Sequence, residues 1–256
     1  MKEEFPKENF IARLEDMCRL AVKRRQPVFS SFLNDREQYE AESFLCSRSD
    51  VSAELWGGDE ACTRKMLRVC GEDYFAPDDH SDFPVFPLTF TYRKADKPGH
   101  RDFLGSFMAL GIKRETLGDI FVGEGVTAVY CTKTARDMIA DGVLTVGRVG
   151  VSVEDGISDE AKAFIHPPAF DEITVIVASE RVDCIVSGIT GVSREKSAAL
   201  IRSGGLMLNY SECDNISRNV SAGDVITLRG YGKYIICGDA ETTKKGRIKI
   251  ELKKYK

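Results

Sequence analysis

The chain has 256 residues, 43% of them hydrophobic, and carries a formal net charge of −4. This length favours two or three small domains over a single one, and the acidic balance excludes a uniformly basic binder of nucleic acid. No apolar run is long enough to span a bilayer and MKEEFPKENF lacks a signal-peptide core, so we expect a cytoplasmic protein without a membrane partner.

The first third of the chain predicts helices. An apolar stripe runs from Phe10 to Ala21, and Pro27 ends or redirects that helix. Further helical stretches are predicted at 35–45 and 59–69. We therefore expect residues 1–73 to form a helical N-terminal domain.

Residues 74–170 predict a domain in which strands alternate with helices. The predicted strands and helices follow the order βαββαβ, at the C-terminal end of 83–92, then at 101–110, 119–122, 127–131, 134–144 and 149–153. This is the order of a ferredoxin-like sheet, which RRM domains also use. The RNP1 motif is absent, so stacking of bases on this sheet is not indicated. Basic side chains in the turns that bracket the first helix are candidates for RNA contact: His100, Arg101, Lys113 and Arg114.

Residues 171–256 predict two short helices followed by tight strands. Val182, Ile185, Val186 and Ile189 recur at helical spacing, and Ser193 is placed to cap a second helix that stops at Gly204-Gly205. Alternation at 225–229 and 247–252 predicts strands, the last of them basic.

Positive charge is concentrated at this end of the chain. Residues 225–256 contain nine Lys or Arg and three acidic residues, which gives +6 and leaves −10 for the rest of the net −4. The asymmetry indicates a local surface that faces phosphate, although an edge strand protected by lysine is an alternative explanation. The candidate RNA-contacting residues are Arg181, Ser193, Arg194, Lys196, Arg202, Asn209, Arg229 and Lys233. Among them Arg194 is the strongest, because its guanidinium can bind phosphate with two hydrogen bonds.

Five short motifs in this region resemble the S4 RNA-binding domain. In order they are Arg181-Val182-Asp183, Ser193-Arg194, Leu200-Ile201-Arg202-Ser203-Gly204, Leu208-Asn209 and Gly223-Asp224. Tyr210 departs from the family, which commonly has glycine after the asparagine, so the turn there should differ.

Most of the chain resembles the YlmH family of bacterial S4-domain proteins. The segments that carry this resemblance are 97–105, 111–120, Phe32-Leu33-Asn34-Asp35, Trp56-Gly57-Gly58, 228–233 and Lys245-Gly246-Arg247. It implies an α+β protein with a helical N-terminal domain, an RRM-like middle domain and a C-terminal S4 domain of the αL type. It also implies a non-enzymatic partner of large-subunit ribosomal RNA, with tRNA as a second candidate partner, that acts in quality control of stalled nascent chains and needs no cofactor or small-molecule substrate.

Two other classes of function stay open. S4 domains accompany RNA-modifying enzymes, and an acidic N-terminal domain suits a protein-interaction adaptor linked to cell division. The sequence offers little for catalysis: Gly123–Ala128 is better explained as a hairpin turn than as a cofactor loop, because a strand follows it. Asp183 is better explained as a helix-start carboxylate than as a nucleophile. His80 beside Asp78 and Asp79 is expected in a solvated loop rather than at a metal.

Overall fold

The computed structural model describes residues 6–243 and 246–256. Its internal contacts divide the chain into two compact units, Met1–Pro167 and Pro168–Lys256. The predicted mixture of helices and sheets is confirmed. Lys244 and Lys245, two of the basic residues counted in the C-terminal region, lie outside the described residues.

The N-terminal part of the first unit is a small sheet crossed by a helix. Its elements are α1 (Lys7–Arg24), β1 (Val28–Leu33), α2 (Asp35–Leu45), β2 (Val51–Trp56) and β3 (Lys65–Gly71). The antiparallel strands lie in the order β1-β3-β2, and α1 packs on this sheet through its apolar stripe. Helix α2 begins with a capping box: Asn34 Oδ1 accepts from the Glu37 amide at 3.0 Å, and Glu37 Oε2 accepts from the Asn34 amide at 2.8 Å.

The predicted helix at 59–69 is wrong, and with it the prediction of an all-helical N-terminal part. Strand β3 occupies most of that stretch. It is the central strand of its sheet, so six of its seven residues, Met66 to Gly71, are buried. A strand covered on both faces loses the alternation of apolar and polar residues, and a short apolar run is then indistinguishable from a buried helical turn.

The rest of the first unit has the predicted βαββαβ order. Its elements are β4 (Phe86–Thr91), α3 (His100–Ala109), a 3-10 turn (Arg114–Thr116), β5 (Leu117–Val122), β6 (Val126–Cys131), α4 (Lys133–Gly142), the hairpin β7 (Thr145–Val146) and β8 (Val149–Gly150), β9 (Ser152–Asp155) and the short α5 (Asp159–Lys162). The antiparallel sheet has the order β5-β6-β4-β9. Phe103 and Phe107 of α3 and Ile139 of α4 cover one face of it, where they meet Leu88 and Phe90.

The second face of this sheet is also buried. The rings of Phe121 and Tyr130 meet edge to face with centroids 6.2 Å apart, and Tyr130 packs with Phe32 and Met66 of the N-terminal sheet. Ala161 of α5 covers the neighbouring part of the face. Because residues 1–73 and 74–167 share this core, their contacts place them in one unit; the three-domain division at 73 and 170 stays a prediction.

The second unit combines one sheet with a pair of helices. Its elements are β10 (Phe170–Val177), α6 (Val182–Thr190), α7 (Arg194–Leu200) continued by a π-helical turn (Ile201–Gly205), β11 (Leu206–Leu208), β12 (Ser211–Glu212), β13 (Val225–Leu228), β14 (Gly232–Thr242) and β15 (Ile248–Tyr255). The strands lie antiparallel in the order β10-β15-β14-β13-β11-β12. Helix α6 approaches β10 closely at Gly188, where an added Cβ would lie 3.0 Å from Val175.

Candidate nucleic-acid interface

The helix pair α6–α7 is shaped by its caps. Helix α6 starts after Arg181 and ends at Gly191, whose φ of 70° lets the chain turn directly into the next helix. Ser193 caps α7 by accepting a hydrogen bond from the Lys196 amide at 3.4 Å. Arg181, Arg194 and Lys196 are thereby placed at or near the starts of the two helices.

The buried carboxylate of Asp183 in α6 links this helix to α7. Its carboxylate is buried and accepts from Arg194 Nη2 at 2.7 Å, from Arg181 Nε at 3.2 Å and from the Cys184 amide at 3.0 Å. Burial on its own would raise the pKa of Asp183, but the hydrogen bond from Arg194 and the charges of Arg194 and Arg181 hold that pKa below its ordinary value. The predicted helix-start position of this carboxylate is observed, and its ion pairs make it a brace for the helix pair.

Arg181 and Arg194 therefore have a structural role besides any RNA contact. The side chain of Arg194 keeps 55% of its surface exposed and that of Arg181 keeps 36%. An arginine has five N–H donors, so the exposed edge of each guanidinium can still meet a phosphate. Their charge is nevertheless balanced in part by Asp183.

Three other predicted cations on the helix pair and its connecting turns are more open. Lys196, Arg202 and Arg229 are exposed, and within the described residues none of them pairs with a carboxylate. Arg229 lies beside the turn that ends α7, because its amide donates to the Gly205 carbonyl at 2.9 Å and its Nη2 donates to the Gly204 carbonyl at 3.4 Å. Arg202 belongs to the same turn.

Asn209 connects two turns of the second unit. Its Oδ1 accepts from the Val225 amide at 2.8 Å and its Nδ2 donates to Asp224 Oδ1 at 2.7 Å. Both Asn209 and the following Tyr210 have left-handed backbones, with φ of 48° and 63°. Tyr210 thus takes a conformation that glycine adopts more easily. The side chain of Asn209 is engaged within the protein, so its predicted RNA contact would depend on the second N–H of the amide.

Lys233 lies on the other face of the sheet. Tyr234 points into the core beneath the helices, and side chains alternate along a strand, so Lys233 points outward. Its Nζ lies 4.5 Å from the ring centroid of Tyr255 and 5.0 Å from that of Tyr210, within range of cation–π attraction. The structure therefore separates Lys233 from the cations of the helix pair.

The predicted residues of the first unit lie at the start of α3 and in the segment that follows its end. His100 and Arg101 are exposed in its first turn, and Lys113 is exposed just before the 3-10 turn. Arg114 points inward, where its Nη1 donates to the carbonyls of Leu117 at 2.8 Å and Gly118 at 3.2 Å. Burial and the charge of Arg114 lower the pKa of His100, and the charge of Asp119 acts in the opposite direction.

Arg64 belongs to this group and was missed in the sequence. It lay inside the stretch predicted as a helix, where a charged residue is expected to face solvent. The structure instead has it half-buried, with Nε donating to the Leu117 carbonyl at 3.0 Å and Nη2 to the Phe32 carbonyl at 3.0 Å. The Phe32 carbonyl lies near Arg64 because β1 pairs with β3, and the Leu117 carbonyl comes from β5 of the neighbouring sheet.

The predicted solvated environment of His80 is wrong. Its ring stacks on Trp56 with centroids 4.2 Å apart, and its Nε2 lies 2.7 Å from Glu54 Oε1. Glu54 also binds the buried Arg68, whose Nη1 donates to Asp82 at 2.5 Å. The network fixes the loop that contains His80. Across the described residues we find no group of three or more metal-ligating side chains and no helix that is long and apolar enough to cross a membrane.

Comparisons with known proteins identify a matching family model and similar proteins. Residues 79–160 match a family model described as "Putative RNA-binding domain in YlmH". The chain is 28% identical over 253 residues to the "Ribosome-associated protein quality control protein P2" of Bacillus subtilis (strain 168), covering 96% of this chain and 95% of that relative. The structure of the "Cell division protein ylmH from Streptococcus pneumoniae" covers 61% of this chain and 95% of its own length, with a TM-score of 0.50 and 21% identity. The last match shows a shared fold.

Proposed function

We propose that this chain, which belongs to the YlmH family, is a non-enzymatic RNA-binding protein that docks on the large ribosomal subunit. Its main partner would be ribosomal RNA, with tRNA as a second partner, and its role would be in quality control of stalled nascent chains in the cytoplasm. The name of the Bacillus subtilis relative supports the ribosomal setting. In this proposal the second unit acts as an S4 domain of the αL type, beside an RRM-like middle domain.

The observation that carries the proposal is the set of exposed cations on the helix pair. Lys196, Arg202 and Arg229 lie on α7 and on the turns at its end, and none pairs with a carboxylate in the part of the chain that the structure describes. Cations that release counterions on meeting phosphate supply much of the affinity of RNA-binding proteins. The brace at Asp183 holds the two helices in one arrangement, so the cations are presented in fixed positions before RNA arrives.

The same brace argues against a modifying enzyme of the S4-containing type. A carboxylate that attacks a base must be able to reach it. Asp183 is 4% exposed and already accepts hydrogen bonds from two arginines and a backbone amide. Its position suits support of the helix pair better than attack on a substrate.

A triple variant tests the proposal. Lys196→Gln, Arg202→Gln and Arg229→Gln together should reduce cosedimentation with purified large subunits. They should also flatten the dependence of log affinity on log salt by about 2 to 3, because each lost phosphate contact contributes roughly 0.7–0.9 to that slope. The melting temperature should change little, since all three side chains are exposed.

The control is Lys249→Gln, an exposed-face lysine of β15 that is paired with Glu241 and Glu251. It removes one positive charge from the same unit without touching the helix pair. A triple variant that is folded and cosediments like the wild type would contradict the proposal.

A further inference from the structure

Two arginines of the first unit share one neutral acceptor. The guanidinium groups of Arg64 and Arg114 both donate to the carbonyl oxygen of Leu117, at 3.0 and 2.8 Å. Their other acceptors are also backbone carbonyls, those of Phe32, Gly118 and Arg114 itself. The hydrogen-bond acceptors of the two guanidinium groups are thus carbonyl dipoles, and the charge of Asp119 attracts both groups without an ion pair to either. Two positive charges held close together in this way favour a further negative charge nearby.

The carboxylate of Asp119, whose charge acts on both arginines, already accepts three other hydrogen bonds. Asp119 accepts from the Thr63 amide at 2.6 Å, the Arg64 amide at 2.7 Å and Thr63 Oγ1 at 2.9 Å. Neither guanidinium forms an ion pair with a carboxylate among residues 6–243 and 246–256. Burial lowers the pKa of Arg64, and burial together with the charge of Arg64 lowers that of Arg114 to about 10. The charge of Asp119 acts in the opposite direction on both groups and offsets these effects only in part.

The pair is accessible from the start of α3. Arg64 and Arg114 are both half-buried rather than enclosed, and the neighbouring His100 and Lys113 are exposed. His100 is the first residue of α3, where the positive end of the helix is partly offset by Asp102, whose Oδ2 accepts from the Gly99 amide at 2.7 Å. Two guanidinium groups therefore lie side by side, and the imidazole of His100 is close enough to Arg114 to be affected by its charge.

The sheet face that faces away from α3 and α4 is not available for binding RNA. In RRM domains the RNA lies on the open face of the sheet. Here that face is covered by the N-terminal sheet and by α5, and all six residues of β6 are buried. RNA that binds to the segment at 79–160 must therefore use another surface, and the surface at Arg64, Arg114 and His100 carries the charge for it.

We propose that Arg64, Arg114 and His100 form a phosphate-binding site. The ligand is a phosphate group, either of the RNA backbone or free in solution. In the first case the inference deepens the proposed RNA-binding function, and it adds Arg64 to the residues that contact RNA.

The test is an NMR titration of His100 in the full chain. The chain has only three histidines, His80, His100 and His166, and a His100→Gln variant assigns the resonance. A bound phosphate should raise the pKa of His100, because a negative charge stabilises the protonated ring. Inorganic phosphate and a 12-nucleotide single-stranded RNA are added in separate arms, each against chloride at equal ionic strength.

Variants make the result specific. Arg114→Gln should abolish the rise in the pKa of His100 and weaken RNA binding roughly three- to tenfold, while Arg114→Lys should retain part of both effects. Lys94→Gln is the matched control, because Lys94 is exposed beside Gly125 at the far end of β5 and its loss changes the net charge equally. If Arg114→Gln does not fold, the wild-type titration alone decides the outcome.

A rise in the pKa of His100 in both arms supports an RNA phosphate as the ligand, and a rise with inorganic phosphate alone supports a site for free phosphate. An unchanged pKa in both arms, or an equal effect of Lys94→Gln, overturns the inference. The triple variant of the helix pair reports on the proposed function separately, so the two can fail independently.

Discussion

The side chain of Asp183 determines how the helix pair responds to pH. Its pKa lies below the ordinary value, so the ionised form stabilises the folded state, and this contribution is complete above the unfolded pKa of about 4. It is lost as the pH falls through the lower pKa of the folded state. Asp183→Asn removes the negative charge at every pH and should therefore have the same effect on stability as protonation of this carboxylate.

We expect Asp183→Asn to lower the free energy of unfolding by about 2 kcal/mol at pH 7, because it breaks a buried ion pair whose partners are partly exposed. Urea unfolding measured from pH 7 down to pH 3 should show the difference between wild type and variant shrinking below about pH 4. A difference that stays constant over this range would mean that the charge of Asp183 does not matter.

The ion pair between Asp183 and Arg194 also changes the result expected from a substitution of Arg194. From the sequence, Arg194 is the strongest candidate for phosphate contact, and Arg194→Glu would be the direct test of that contact. The structure places the new carboxylate beside the buried Asp183, so the variant should also lose stability. The sequence could not show this, because the partner of Arg194 is eleven residues away and its burial depends on the packing of α6.

Among the connecting elements, Asn209 stabilises the turn at Asp224 in two ways that can be measured separately. One is its side-chain hydrogen bonds and the other is its suitability for a left-handed backbone. Asn209→Ala loses two hydrogen bonds and places a Cβ-bearing residue without a polar side chain at a φ of 48°. Asn209→Gly loses the same bonds but tolerates the backbone. We expect losses in unfolding free energy of about 3 kcal/mol for alanine and about 2 kcal/mol for glycine.

Asn219→Ala serves as the control for this pair, because Asn219 is exposed and only its backbone bridges to Arg181. Its effect should stay within about 0.5 kcal/mol in the same urea titrations. Equal losses for Asn209→Ala and Asn209→Gly would show that the left-handed backbone is not a source of strain.

Elements with local signals were predicted well. Helices α1, α3, α4 and α6 carry amphipathic periodicity or caps, and β6 lies between a turn and a cap, so their positions follow from nearby residues. Strand β3 has no such signal, since both of its faces are covered by parts of the chain that are distant in sequence. Among the candidate RNA contacts, the residue types were readable. The hydrogen-bond partners of those residues could not be predicted from the sequence, because the carbonyls that accept from Arg114 come together only when β5 has formed.

At the scale of the whole molecule, the second unit has what an independent domain requires. Its buried cluster draws on β10, α6, β11, β13, β14 and β15, with Ile185, Leu206 and Ile236 among its members. The first strand pairs with the last, Phe170 opposite Tyr255, so the two ends of the unit meet in one sheet. The core is thus closed by residues from both ends of the unit.

This closure predicts that residues 168–256 fold alone and that β15 is indispensable to them. Strand β15 lies between β10 and β14 and pairs with both, and it supplies the buried Ile250 and Leu252. The isolated fragment should melt cooperatively by circular dichroism and retain binding to the large subunit that the triple variant loses. A fragment that stops at residue 247 should be unfolded. Without β15, the strands β10 and β14 each have an unpaired edge and the core is open. Cooperative melting of that shorter fragment would show that the helix pair and the remaining strands suffice, and that the last strand serves only to carry charge.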